Sequence, residues 1–259
     1  MHDIRTIQVT RYVTPLREGG SLPAIAEGDD GFLYVLKFRG AGQGPNALIA
    51  DLLGGEIFRA TGLKVPEIVF AQLNESFGRT EPDPEIQDLL RASEGLNLAF
   101  HYLSGAISYD PAVNKVSPEM AARILWLDAF LMNVDRTAKN TNMLTWRGDL
   151  WIIDFGASLY FHHSWDDWEK FSRSPFSHSK DHVLWKAGRP GIKKASEEIR
   201  SLLTPEKIDA IVSLIPGEWI HSHRSGLDAE GVRNVYREFL VNRMQHADIF
   251  VNEILHANA

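Results

Sequence analysis

The feature that most constrains this chain is a polar run, Asn133-Val134-Asp135-Arg136-Thr137-Ala138-Lys139-Asn140, answered after a short turn by Trp151-Ile152-Ile153-Asp154-Phe155-Gly156. Asp135 and Asn140 stand five apart, and Asp154 follows Asp135 by nineteen. A lone Asp or Asn in a loop ordinarily caps a turn. An Asp, an Asn five residues on and a second Asp beyond a hairpin do more. That order puts one carboxylate at an attacking hydroxyl, and an amide and a carboxylate at a magnesium ion bridging nucleotide phosphates. Between them Met143 to Trp146 and Leu150 to Ile153 read as short strands around a turn, the hairpin that returns Asp154 beside Asn140.

Such chemistry needs a phosphate-contacting lysine, an acid to orient it and a turn that covers phosphates. Residues Ile4 to Thr14 read as an edge strand and lead into Arg17-Glu18-Gly19-Gly20-Ser21. Its paired glycines let backbone N–H groups approach an anion, so Gly19, Gly20 and Ser21 are candidates to bind nucleotide phosphates, against the simpler reading of a hairpin turn. Phe32 to Phe38 read as a strand with Lys37 near its end. Alone, such a lysine snorkels at an edge; together with Asp154 it takes the phosphate role. After the glycine-rich run 39–45 a helix is expected from Asn46 to a stop at Gly62, offering Asp51 and Glu56 as partners for Lys37.

Ser117-Pro118-Glu119 opens a second helix, with a hydroxyl cap, Pro in the first turn and an acid at its positive end. Its apolar residues run around every side to about Met132, so it is expected to be buried where the polar run begins. Thr204-Pro205-Glu206 repeats the device, and Val232 to His256 reads as one or two amphipathic helices. In between, Trp165, Trp168 and Phe171 alternate with Ser, His and charge, and are expected at the mouth of a cleft where substrate docks. His178 and His182 have the spacing of a helical metal pair but lack a third ligand, which favours a surface or substrate-loop role.

The expected fold class is α+β: a bilobal, protein-kinase-like chain with a small β-rich N-terminal lobe (1–103) and a mainly helical C-terminal lobe (104–259). At 259 residues, 44% hydrophobic and 24% charged, the chain can bury such a core without staples, and it holds no cysteine for disulfides or thiolate chemistry. A net charge of −7 argues against direct nucleic-acid binding. No export signal or membrane-spanning run is read, so a cytoplasmic protein with no membrane contact is expected.

Val134 to Asn140, Ile153-Asp154-Phe155-Gly156-Ala157-Ser158, and Val35-Leu36-Lys37-Phe38 followed by a helix and Gly62 to Glu67 together resemble the HipA-type kinases. This is a bacterial family with a protein-kinase-like and phosphoinositide-kinase-like fold, typically known as toxin components that phosphorylate proteins of translation. The resemblance covers about residues 14–160. It implies ATP and Mg2+ as cofactors, Asp135 as catalytic base, Asn140 and Asp154 as metal ligands, Lys37 as the phosphate-contacting lysine and Asp51, where a glutamate is usual, as its partner. The expected acceptor is a Ser or Thr of a protein, with a small-molecule or lipid kinase and an inactive nucleotide-binding module as alternatives; an antitoxin-like partner and a self-modified serine in the glycine turn, here Ser21, are further expectations. The chain departs from protein kinases proper in having Asn133-Val134 before the catalytic Asp and no Ala-Pro-Glu after Asp154, and it is shorter than the full-length toxins.

Overall fold

The structure, a computed structural model, describes residues 3–16, 22–42, 44–74, 77, 82–220 and 226–257. Five strands, β1 (Thr6–Pro15), β2 (Ala24–Gly28), β3 (Leu33–Lys37), β4 (Ile68–Leu73) and β5 (Gly95–His101), close into a barrel in the order β1-β2-β3-β5-β4. Strand β1, expected at an edge, pairs antiparallel with β2 and parallel with β4 through Thr6 to Gln8. Closure is the physical reason for the difference, since a barrel leaves no edge strand. Its interior is a small cluster that includes Ile7, Val9, Tyr34, Leu36, Val69 and Ala99.

Helix α1 (Pro45–Ala60) follows β3 and stops before Gly62, whose φ of 84° gives the left-handed turn that ends it. Helix α2 (Pro84–Ala92) and the two-residue β6 (Ile107–Ser108) lead to α3 (Pro118–Leu131). The Ser117 hydroxyl accepts the Met120 N–H at 3.2 Å, as its capping position requires. Strands β7 (Met143–Trp146) and β8 (Asp149–Ile152) form the expected hairpin, with β6 as a third strand. Its turn residues Arg147 and Gly148 both have positive φ, 51° and 82°, which matches the twist of a tight hairpin.

The remainder is helical: α4 (Trp168–Ser172), α5 (Trp185–Gly188), α6 (Ile192–Leu202), α7 (Pro205–Val212), α8 (Ala229–Gln245) and α9 (Ala247–His256). Helices α5, α6, α8 and α9 pack around α3, whose residues from Ala121 to Leu131 are nearly all sealed. Where α3 ends, buried Arg243 of α8 donates to the carbonyls of Ala129 and Phe130 at 2.6 and 2.7 Å, a cation at the negative helix end. Burial pulls that guanidinium down to about 9, still charged at neutral pH.

Helix α1 belongs to this larger core. Every residue from Leu48 to Phe58 is buried, because one side faces the barrel and the other meets α7 and the turn at Gly217–Trp219. Consecutive glycines allow that closeness: a Cβ on Gly54 would stand 2.6 Å from Phe155 Cβ, and one on Gly55 2.5 Å from Ile68 Cδ1. Each glycine costs its helix roughly 1 kcal/mol against alanine, and the close approach is what that weakness permits.

Candidate active site

Strand β3 ends with Lys37 pointing toward α1 and the hairpin. Its ammonium lies 2.8 Å from Asp51 Oδ2, 3.0 Å from Asp51 Oδ1 and 2.6 Å from Asp154 Oδ1. Asp51 is therefore the partner of Lys37. Glu56, the alternative read from sequence, turns to Arg59 at 2.7 Å instead, three residues along its own helix. Asp51 also accepts the backbone N–H of Phe155 at 2.7 Å, so one carboxylate fixes both the lysine and the segment carrying Asp154. Phe155 is sealed against Phe58, their rings 4.9 Å apart.

The charges of this triad do not balance. Burial works against the Lys37 ammonium, but two flanking carboxylates outweigh it and hold its pKa above the usual lysine range. Burial is also the largest influence on Asp51, and pushes its carboxyl up to about 6 against the pull of Lys37. Asp154 goes the other way. Lys37 holds it below the ordinary carboxylate range, and its side chain remains 46% exposed.

Beyond α3, Met132 adopts a left-handed φ of 58° and the chain turns into the polar loop. There Asp135 Oδ2 accepts the side-chain amides of Asn140 at 2.7 Å and Asn142 at 3.2 Å, while its backbone N–H donates to Asn133 Oδ1 at 3.1 Å. The two halves of the site meet along the hairpin, where Ile153 N–H donates to the Asn142 carbonyl at 3.1 Å. Buried Arg136 reinforces this junction by donating to the carbonyls of both Asn142 and Ile153. Asn142 and Asp154 both hold left-handed φ, 47° and 56°, in the sparsely populated region where short polar side chains are tolerated.

Asp135, Asn140, Asp154, Lys37 and Asp51 are thus drawn to one end of the barrel and one hairpin. Gly19, Gly20 and Ser21 lie outside the described residues. His182 corrects its expected surface role: it is buried and bonds Asp128 Oδ2 at 2.9 Å, whereas exposed His178 stands 3.7 Å from Asp181. The stretch Ser177–Asp181 is a 3₁₀ turn, so the spacing expected to pair two histidines on an α-helix does not operate. Trp165, Trp168 and Phe171 are half-buried against the helical core. Sequence reasoning missed Asn142 and Arg136. Asn142 was signalled by its place two beyond Asn140 at the start of a strand, and the partner of Arg136 by Asp128, the acid amid the apolar residues from Ile124 to Leu131.

Among the described residues, no group of three or more His, Asp or Glu side chains is gathered in metal-holding geometry. A hard cation that keeps water and phosphate ligands needs fewer: one or two oxygen donors from the protein suffice, and the Asp154 carboxylate with the Asn140 amide oxygen fits that donor set.

The fold has counterparts among solved structures. The proinflammatory kinase CtkA of Helicobacter pylori shares the fold, with a TM-score of 0.56, 15% identity, and 96% of this chain and 97% of that chain covered. The Golgi casein kinase, in a structure with Mn/ADP bound, aligns over 100% of this chain and 74% of its own at 10% identity and a TM-score of 0.47. No curated protein matches the chain. The family model described as HipA-like kinase matches residues 9–250, nearly the whole length, and the chain accordingly belongs to the HipA-like kinases, a family of phosphotransferases.

Proposed function

We propose that this chain moves the γ-phosphate of ATP, in the presence of magnesium, to a Ser or Thr hydroxyl of a protein, across a cleft between a lobe of residues 1–103 and one of 104–259. The observation that carries the reading is the imbalance at Lys37, where one ammonium serves two carboxylates and the cleft-facing one, Asp154, is still open. Phosphates and a divalent cation are what such a site lacks. Lys37, oriented by Asp51, contacts the phosphates as a point charge, and Asn140 and Asp154 are the residues that would hold Mg2+. When bound, the metal neutralises charge on the phosphates.

Asp135 receives the acceptor hydroxyl. Its Oδ2 is committed to two amides, which orients the carboxylate and leaves Oδ1 without a protein partner among the described residues. A base held this way contributes typically about 10²–10⁴-fold to the rate. The choice of a protein acceptor follows the HipA-type resemblance, as does an antitoxin-like partner.

A thermal-shift assay tests the reading. ATP at about 100 times Kd stabilises a native state by roughly 2.7 kcal/mol, and the magnesium-dependent part of that shift is expected to vanish in Asp154→Asn. Asp135→Asn should keep the shift and lose about 10²–10⁴-fold in transfer of labelled phosphate. A parent chain that ATP and magnesium do not stabilise would end the proposal.

A further inference from the structure

Asp128, on the buried helix ahead of the polar loop, has a side chain of 0% exposure, and each of its oxygens takes two hydrogen bonds. Oδ1 accepts from Asn133 Nδ2 at 2.9 Å and Arg136 Nη2 at 3.3 Å; Oδ2 accepts from Arg136 Nε at 2.6 Å and His182 Nε2 at 2.9 Å. Two of these donors pass the position of the carboxylate onward. Asn133 holds the backbone N–H of Asp135, and Arg136 holds the carbonyl of Ile153, the residue before Asp154. Tilting the Asp128 carboxylate therefore disturbs both ends of the site. The guanidinium cannot fix that tilt by itself, because its two bonds to Asp128 are unequal, 2.6 against 3.3 Å.

The remaining donor comes from 54 residues away. Leu184 N–H donates to His182 Nδ1 at 3.0 Å, which leaves the ring proton on Nε2, facing Asp128. The backbone around the ring is tied to the same loop, through a bridge between Thr137 and His182 and a Val183 N–H bond to the Arg136 carbonyl at 3.0 Å. We propose that His182 is a positioning residue of the phosphate-transfer centre, its Nε2–H setting the Asp128 carboxylate and, through Asn133 and Arg136, the placement of Asp135 and Asp154. The proposal rests on the phosphotransfer reading for its effect on rate, but its geometric content stands apart from that reading.

Two near-isosteric variants separate the ring's two bonds. His182→Gln keeps a donor where Nε2 reaches Asp128, whereas His182→Asn keeps an acceptor for Leu184 and loses that donor. In the full chain, amide hydrogen exchange is followed over residues 133–142 and 153–155, alongside kcat and KM for ATP turnover. The Asn variant is expected to exchange faster in both segments and to lose about 10- to 100-fold in kcat, the usual range for residues supporting a ligand set, with KM for ATP nearly unchanged. The Gln variant is expected to stay close to the parent. Equal behaviour of the two variants overturns the proposal, since a role in packing alone does not discriminate between the bonds. If the parent turns over no ATP, the phosphotransfer reading falls and the exchange contrast still decides the positioning role. Should His182→Asn fail to fold, His182→Gln decides: parental exchange upholds the donor role and loosened exchange overturns it.

Discussion

Two buried charge clusters flank the β7–β8 hairpin, and they are built on opposite principles. At Asp128 a sealed carboxylate meets a guanidinium, an imidazole and an amide, and every oxygen is filled. Burial alone would raise its pKa, yet Arg136 and His182 hold it below the ordinary range. At Lys37 one ammonium is divided between Asp51 and Asp154, and burial leaves Asp51 raised to about 6. The first cluster is complete as folded, while the second carries a surplus of negative charge. Charges that hold a fold are matched, and charges that await a ligand are left unmatched.

The contrast can be broken first at Arg136. Replacing it with Met leaves Asp128 sealed without its cation, and the free energy of unfolding is expected to fall by about 3–5 kcal/mol in urea titrations. The double variant Asp128→Leu/Arg136→Met should lose less than the two single losses added, because each single change strands a charge that the other removes. Additive losses would mean that the pair is not matched.

The second cluster should respond to pH. The folded pKa of Asp51, about 6, lies above the ordinary aspartate value of 3.8, so between these values the folded state binds more protons than the unfolded one. Stability attributable to this group is therefore greatest at low pH and declines as pH rises through about 6. Asp51→Asn removes the decline. The variant's melting temperature relative to the parent should rise between pH 4 and pH 8, by the equivalent of on the order of 2–3 kcal/mol. A pH-independent difference would show that the surplus charge is not borne by Asp51.

The smallest effect sharpens the comparison without touching a charge. In Gly54→Ala the new Cβ meets Phe155 at 2.6 Å and must displace it, at a cost of about 1–3 kcal/mol. Since Phe155 adjoins Asp154 and bonds Asp51, magnesium-dependent stabilisation by ATP should shrink as well. A variant that melts lower yet keeps the full ATP shift would uncouple that packing from the site.

What sequence made legible is what short-range chemistry encodes. The caps at Ser117 and Thr204 and the hairpin turn each depend on residues within a few positions of one another, and each is found in place. The pairing of β1 with β4 depends on barrel closure, which no local pattern announces. His182 reaches Asp128 through a 3₁₀ turn and a bridge to Thr137, a long-range placement that the expected surface or substrate-loop role did not anticipate. Glu56 looked as suitable as Asp51 for Lys37 until the helix was oriented. Asp51, Gly54 and Phe58 then fall on the side toward Phe155, while Glu56 turns to Arg59.

Helix α1 carries one further implication. A helix resting on the outside of a barrel can pivot and act as a lever between working and idle states. With no outward surface over roughly three turns, α1 has nowhere to swing without tearing open the main core. The stretch from Leu48 to Phe58 then has no position where a further polar replacement goes unnoticed.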